Sequence, residues 1–462
     1  MSDDTIEVVI LAAGLGTRMK SSKIKILHRA GGRALIDYVL DLAAAVSNRP
    51  PIVVIGHQRE AVQQHCGARA RYAIQDEQLG TGHALLQAAP LIEETARDVP
   101  VLVLSGDVPL TRRETLERLF AMHRDGANAA TLVSMIPDDP GRYGRVVRDG
   151  SGRVVRIVEL KDSSEAEKAI REVNGGIYLF QSRDLFRILR SLSTDNAQGE
   201  YYLTDVIAAL VRDGRRVEAL VVIDPAEAFG VNSRAELAAA EKELMRRHVT
   251  QLMDDGVTFR DPDSVLVETT VRIGADTIVY PFAVLEGETT IGRDCEIGPA
   301  VHLRNVRIAD RGTIRTGTVA EETSIGEDAS VGPHAHLRPG TILGARVKIG
   351  NFVETKKAIF GDDTKASHLS YIGDAEIGAR VNIGAGTITC NYDGVRKHKT
   401  ILEEDVFIGS DSQLIAPVRV GKGAYVGAGS TITKDVPAGA LSLSRMPQKT
   451  IEGWADRRRN EK

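Results

Sequence analysis

Two hydrophobic periodicities divide the chain. From Glu7 to about Asn232, compact aliphatic runs (Val8–Leu11, Ile52–Ile55, Val101–Leu104) alternate with stretches of helical period such as Leu35–Ala45 and Leu116–His123. Short unbroken aliphatic runs suit strands buried on both faces, and their alternation with helices predicts a mostly parallel sheet covered by helices. Residues Arg234 to about Asp255 follow as one uninterrupted helix, with Leu237, Leu244 and Leu252 set among Ala, Glu and Arg. We read it as a connection between domains.

After Gly256 the period becomes six. Ile273, Val279, Leu285, Ile291, Ile297 and Leu303 form one set, and Val319, Ile325, Val331, Leu337, Leu343 and Ile349 a second. A third set runs Ile408, Leu414, Val420, Val426, Ile432, and Gly follows many of these residues, as in Ile273-Gly274, Ile325-Gly326 and Ile408-Gly409. One inward aliphatic and one tight turn every six residues predicts a parallel β-helix, with three flat sides per coil of about 18 residues. The phase breaks between Ile383 and Ile408, where Thr389-Cys390-Asn391-Tyr392-Asp393-Gly394 intervenes. A solenoid accommodates such an insertion as a surface loop, a natural place for function. The expected division is therefore 1–232, a helical link 233–256, a β-helix 257–437 and a tail 438–462.

Composition narrows the function classes. A chain of 462 residues with 42% hydrophobic and 26% charged residues is folded and multidomain. Aromatics are only 4% of the chain and Gly is abundant, as tight β-helix corners require. A net charge of −4 with no long basic run gives no track for nucleic acid, and the closing Arg457, Arg458 and Arg459 read as a solvated tail. The start, Met1 to Ile10, enters a strand-like run without a secretory leader, and no apolar segment approaches bilayer length, so no membrane association is expected. Cys66, Cys295 and Cys390 are scattered and odd in number, which suits a reducing cytoplasm.

In parallel sheets, ligands bind beyond the carboxyl ends of the strands, so the motifs there carry the most weight. Leu11-Ala12-Ala13-Gly14-Leu15-Gly16-Thr17-Arg18-Met19 follows the first strand directly. Gly14 and Gly16 let backbone amides approach a polyphosphate, while Arg18 and Lys25 supply positive charge. Read alone, the loop is equally a tight strand–helix turn, and its spacing fits neither a dinucleotide fingerprint nor a Walker lysine. Gln75-Asp76-Glu77-Gln78-Leu79-Gly80-Thr81-Gly82-His83 offers amides and a turn suited to reading a base edge. Asp107, in Ser105-Gly106-Asp107, ends the strand Val101–Leu104; it is either a Mg²⁺ ligand or a helix cap, and Asn232 offers a second hard oxygen.

In the β-helix, His368 stands in the polar stretch Lys365–Gly373. An isolated His is ordinarily structural, but acyl transfer to an amine needs a base near neutral pH. Arg338, Lys356 and Lys357 suit a sugar phosphate, and Asn382, Asn391 and Tyr392 add neutral hydrogen-bonding groups. Direct attack on a thioester fits better than an acyl-enzyme, with Cys390 a remote alternative nucleophile.

Together, Leu11–Met19, Gln-Leu-Gly-Thr-Gly-His, Gly-Asp-Val-Pro-Leu and Gly-Val-Asn resemble the sugar-nucleotide pyrophosphorylases. With the β-helix attached, almost the whole chain resembles the bacterial bifunctional N-acetylglucosamine-1-phosphate uridyltransferase / glucosamine-1-phosphate N-acetyltransferase family. The resemblance implies a Rossmann-like mixed sheet in an α/β nucleotidyltransferase domain, followed by a left-handed parallel β-helix. It implies that Leu11, Ala12, Ala13, Gly14, Arg18 and Lys25 bind nucleotide phosphates, that Gln75, Gly80 and Thr81 read uracil, and that Ser105 and Gly106 flank the nucleotide. Gly144, Glu159 and Asn174 would hold the sugar, and Asp107 and Asn232 the Mg²⁺. His368 would be the general base and Glu354 would orient the substrate amine. Arg338, Lys356, Tyr371 and Asn382 would bind the sugar phosphate; Ala385, Asn391, Tyr392, Ser410, Ala428 and Arg445 would contact acetyl-CoA. UTP and acetyl-CoA would be the co-substrates, the assembly a homotrimer formed through the β-helix, and the product UDP-N-acetylglucosamine.

Two departures stand out. The family usually reads Pro-Lys where this chain has Ile24-Lys25, which removes a φ constraint and predicts a less preorganised Lys25. Many relatives carry an aromatic residue where Ser105 stands. Two other readings compete: a single-activity nucleotidyltransferase with a β-helix stalk, and a non-enzymatic scaffold. A stalk has no need of His368, Lys356, Asn391-Tyr392 and Arg445, and a scaffold has none of Asp107 with Asn232 beside a glycine loop.

Overall fold

The computed structural model describes residues 6–14, 16–93 and 98–460, so the first five residues of the N-terminal reading, Leu15 and the last two residues of the tail lie outside the description. The aliphatic runs form the centre of a mixed sheet, ordered Val217–Val221, Ala130–Met135, Val173–Gln181, Pro100–Ser105, Glu7–Leu11, Ile52–Ile55, Arg71–Ile74. Pairing is parallel except for Val173–Gln181, which runs against both of its neighbours. The strand Glu7–Leu11 lies between Pro100–Ser105 and Ile52–Ile55, with Leu11 opposite Ser105 on one side and Val54 on the other. That register brings the loops after residues 11 and 105 to one edge. Side chains alternate between two apolar layers: Val9, Val54 and Val103 face one, and Val8, Ile10, Val53 and Leu104 face the other.

The chain divides into two compact units at Leu244/Met245. The boundary falls within the helix Arg234–Asp254. In the first unit Ala240 and Leu244 of this helix pack with Leu35, Leu110 and Val231; in the second, Val249 and Leu252 belong to the β-helix core.

The second unit is a left-handed parallel β-helix whose short strands stack coil upon coil in two long ladders. Partners are 18 residues apart in some coils (Val284 with His302, His336 with Glu354) and 17 apart in others (Thr290 with Arg307, Glu354 with Tyr371). The sixfold positions point inward: Val279, Leu285, Ile297, Leu303, Val331, Leu337 and Ile349 are fully buried. One assignment is corrected. Val319 faces outward opposite His302, and Ala320 is the inward residue, opposite Leu303. A 17-residue coil lies between them and moves the inward phase by one. Gly after the inward aliphatic is required by close stacking; a Cβ on Gly274 would lie 2.7 Å from the carbonyl carbon of Gly292 in the next coil.

At one corner, successive coils place non-glycine residues in the left-handed region, with φ near +60° at Arg311, Asp328, Arg346, Asp363, Arg380 and Asp405. Their charges alternate. Arg311 Nε donates to Asp328 Oδ1 at 2.8 Å, Arg346 to Asp363 at 2.7 Å and Arg380 to Asp405 at 2.6 Å. The arginine hydrogen bonds hold all three carboxyls below their ordinary range. These exposed pairs stabilise weakly, so the buried aliphatics carry the coil.

Leu337→Ala is expected to destabilise the β-helix by about 2–5 kcal/mol. Val395→Ala, at a position 84% exposed, is expected to stay within about 0.5 kcal/mol of wild type. Urea midpoints followed by circular dichroism distinguish the two.

Candidate functional site

In the first unit a cavity of about 420 Å³ opens at the carboxyl ends of Glu7–Leu11 and Pro100–Ser105. It is lined by Leu11, Ala12, Ala13, Gly14, Lys25, Gln75, Gly80, Thr81, Ser105 and Asp107 among the expected residues. Ile26, Gln78, Ala84 and Glu200 line it as well. A Cβ on Gly14 would meet nothing within 4 Å, so that backbone faces open space a ligand can fill. Gly16 sits at φ +61°, and a Cβ there would come within 2.7 Å of Lys25 Cβ; the lysine stem crosses over this glycine. Arg18 is exposed on the turn Thr17–Met19 and is not part of the cavity wall.

Ile24 holds φ −58°, the angle proline would impose, and its side chain is buried in the apolar layer with Ile10 and Leu104. Burial therefore fixes what the missing ring would have fixed, and the expected loosening of Lys25 finds no counterpart in the geometry. Lys25 Nζ forms an ion pair with Asp107 Oδ2 and donates to Asn232 Oδ1 at 2.9 Å. Asn232 is held by its own Nδ2, which donates to Gly230 O at 2.9 Å, and Val231 N donates to Asp107 O at 2.9 Å. The segment of Asn232 is thus joined to Asp107 by the Val231 backbone and by the Lys25 ammonium. Their carboxylate and amide oxygens are hard donors of the type Mg²⁺ takes. Two protein ligands suit an ion that keeps waters and accepts phosphate oxygens for the rest. No group of three or more His, Cys, Asp or Glu converges among the described residues.

The base-reading loop is tied down from a distance. Gly82 N donates to Tyr201 O and Tyr201 N to Leu79 O, both at 2.8 Å, and Gln75 Nε2 donates to Gly80 O at 3.1 Å. Leu203 N donates to Thr81 Oγ1 at 3.2 Å.

The expected sugar residues form an adjoining cluster. Asn174 N donates to Gly144 O at 2.9 Å, and a Cβ on Gly144 would lie 3.4 Å from Glu159 Oε1. Asn174 Nδ2 donates to Tyr178 Oη at 2.6 Å, and Thr204 Oγ1 to Glu159 Oε1 at 3.1 Å. Burial pushes the Glu159 carboxyl above its ordinary value despite the Thr204 hydroxyl, and Asp205, Asp162 and Glu200 push the same way.

In the β-helix the expected residues fall on consecutive features of the coil. Ala366, Ile383, Ile408 and Val426 pair in register, which stacks His368, Ala385, Ser410 and Ala428 in one column at a corner. Arg445 closes the column, Nη1 donating to Ala428 O at 2.9 Å. On the flat side that follows, Glu354 pairs with Tyr371 and Lys356 with Gly373. Arg338 Nη1 donates to Glu354 Oε1 at 2.9 Å. Lys397 and Arg338 hold the Lys356 ammonium below its ordinary value, a concentration of positive charge that an anion would relieve. Asn382 lies on the flat side before the corner, opposite Lys365. The insertion is the loop after Cys390, across which Ala375 pairs with Thr400. Asp393 staples it, accepting from Arg396 N at 2.6 Å, His398 Nε2 at 2.7 Å and Val395 N at 2.8 Å, which holds its carboxyl far below the ordinary range. Asn391 Nδ2 donates to Asp374, and Tyr392 is exposed. Burial pushes the Cys390 thiol up, which argues against a nucleophilic role.

Gln78, Glu200 and Lys397 were not singled out from sequence. Glu200 arrives only through the pairing of Tyr201 with residues 79–82. Lys397 had a local signal, the basic run Arg396-Lys397-His398-Lys399 inside the insertion.

A nucleotide-sized cavity on a mixed α/β sheet, with a histidine corner on a hexapeptide β-helix, defines a transferase that joins two catalytic folds. The Nucleotidyl transferase family matches residues 7–225, the GMPPB C-terminal domain 262–351, and the Bacterial transferase hexapeptide (six repeats) 399–434. The chain is 51% identical over 455 residues to Bifunctional protein GlmU of Syntrophotalea carbinolica, covering 98% of this chain and 97% of the relative. It is 48% identical to that of Pelobacter propionicus over 98% of both chains, and 50% identical to that of Heliobacterium modesticaldum over 97% and 98%. The chain belongs to the family of bifunctional protein GlmU.

The raised Glu159 carboxyl gives a prediction with a definite sign. The folded state holds this proton more tightly than the unfolded chain, so its stability falls as pH rises from the unfolded pKa through the folded one. Glu159→Gln keeps an acceptor for Thr204 and is expected to raise Tm above wild type at pH 7, with the gap closing near pH 4. Calorimetry at both pH values checks it.

Proposed function

We propose that the chain makes UDP-N-acetylglucosamine in two steps at two separate sites: acetyl transfer from acetyl-CoA to glucosamine 1-phosphate, then uridylyl transfer from UTP. Family membership and the presence of both sites support this reading, and the observation that carries the second step is the cavity joining Gly14, Lys25, Gln75 and Asp107. We assign 1–232 to uridyltransfer, 233–256 to the link, 257–437 to acetyl transfer and 438–462 to the tail.

In the β-helix, His368 takes a proton from the substrate ammonium, and the freed nitrogen attacks the thioester carbonyl of acetyl-CoA. The C–S bond breaks, and the second proton lost by the nitrogen as it becomes an amide goes to the departing sulfur, so coenzyme A leaves as the thiol. Arg338, Lys356 and Tyr371, with Asn382, hold the sugar phosphate, and Glu354 orients the amine. Ala385, Asn391, Tyr392, Ser410, Ala428 and Arg445 seat the acyl donor.

In the first unit, Leu11 to Gly14, Arg18 and Lys25 hold the UTP phosphates. Gln75, Gly80 and Thr81 read uracil, Ser105 and Gly106 flank the nucleotide, and Gly144, Glu159 and Asn174 hold the sugar. A phosphate oxygen of N-acetylglucosamine 1-phosphate attacks the α-phosphorus in line as the bond to the β-phosphate oxygen breaks, and pyrophosphate leaves. Asp107 and Asn232 would hold Mg²⁺, which would supply neutralisation of the charge that develops on pyrophosphate.

A homotrimer is supported by the exposed apolar side chains Phe282, Phe352 and Leu369, which share the β-helix corner that carries His368. Three free cysteines support a cytoplasmic setting. No helix among the described residues is long and apolar enough to cross a membrane.

Coenzyme A release and pyrophosphate release, followed separately, test the assignment. His368→Ala is expected to lower coenzyme A release by about 10²–10⁴-fold while pyrophosphate release from supplied N-acetylglucosamine 1-phosphate stays unchanged. Asp107→Asn is expected to do the reverse. Wild type that releases no coenzyme A overturns the first activity.

A further inference from the structure

One oxygen of each residue assigned to the metal, Asp107 Oδ2 and Asn232 Oδ1, already contacts an ammonium. The Lys25 ammonium pairs with Asp107 Oδ2 and donates to Asn232 Oδ1 at 2.9 Å, so it bridges the two proposed ligands. Mg²⁺ would sit about 2.0–2.1 Å from the same oxygens. A divalent ion in that gap and an ammonium in that gap exclude one another. The amide oxygen of Asn232 is held in place for either occupant, because Asn232 Nδ2 donates to Gly230 O at 2.9 Å.

Resting on the metal assignment above, we propose that Lys25 is a built-in competitor of the divalent cation: it occupies the metal position in the free enzyme and is drawn off it by the nucleotide's phosphates. The lysine has somewhere to go. Its stem crosses Gly16, where no Cβ obstructs it, and its residue already lines the cavity with Leu11 to Gly14. Rotation of the stem carries the charge from the carboxylate to a bound polyphosphate, and the vacated pair of oxygens then faces that polyphosphate with a bare negative charge. A divalent ion neutralises both.

Metal and nucleotide are therefore coupled through one side chain, and the coupling is reciprocal: UTP tightens the metal as much as the metal tightens UTP. Before nucleotide binds, Lys25 neutralises Asp107 and keeps the cation out. The residue thus has two positions, a metal surrogate in the free enzyme and a phosphate ligand in the complex.

The test measures Mn²⁺ bound to the full chain by equilibrium dialysis, with and without UTP, the metal held by UTP alone being read from the protein-free side and subtracted. The proteins are wild type, Lys25→Met, Lys25→Gln and Asp107→Asn. Wild type is expected to bind Mn²⁺ weakly alone and about tenfold or more tightly with UTP. Both Lys25 variants are expected to bind Mn²⁺ alone about tenfold more tightly than wild type, with the added effect of UTP largely lost. Retained coenzyme A release and an unchanged circular dichroism spectrum show that each variant is folded. Unchanged or weaker Mn²⁺ binding in folded Lys25→Met and Lys25→Gln, with Asp107→Asn abolishing it, overturns the competition and leaves the metal assignment standing. Mn²⁺ binding that survives Asp107→Asn with UTP overturns the assignment itself, and the competition with it.

Discussion

Parallel strand pairing aligns residues that lie far apart in the chain, and both units depend on it. In the α/β sheet it sets Leu11 beside Ser105, so two loops that begin ninety-odd residues apart open on the same edge. In the β-helix it repeats every 17 or 18 residues, or 25 in the coil that carries the insertion, and turns sequence spacing into vertical position: Glu354 above Tyr371, Lys356 above Gly373, and the column from His368 to Ala428. Side chains need no long reach to meet, because the ladder has already placed them. In the column below His368 the residues are correspondingly small: Ala385, Ser410 and Ala428.

The periodic parts of the fold were legible because periodicity is itself the physical cause. An inward aliphatic every sixth residue is what three flat sides and three tight corners require, and Val279, Leu285 and Ile297 are fully buried for that reason. Val319 shows the limit of such counting: a coil of 17 moves the inward position to Ala320, a residue whose small side chain carries little hydrophobic signal. The strand Val173–Gln181, which runs antiparallel to both Pro100–Ser105 and Ala130–Met135, was not written in any local pattern either, since an aliphatic run reads the same in both directions.

The sites divide in the same way. Loops that follow a strand directly, such as Leu11–Gly14 and Ser105–Asp107, were readable from sequence because the strand before them fixes where they emerge. Glu200 reaches the cavity only by backbone pairing across more than a hundred residues, and no spacing announces that. The Ile24 departure is instructive in the other direction. Missing proline suggested a looser lysine, but Ile24 is buried in the core at φ −58°, the angle a ring would impose, and that burial appears only once the neighbours are known.

The loop between Cys390 and Thr400 adds residues to one coil, yet Ala375 pairs with Thr400 and Ile377 with Leu402 as if nothing intervened. The solenoid counts coils, not amino acids, so its register is blind to what is inserted at a corner. Lineages can lengthen, shorten or recharge this segment without renegotiating the core beneath it. The body of the β-helix answers to packing, and this corner is left open to selection for what it touches.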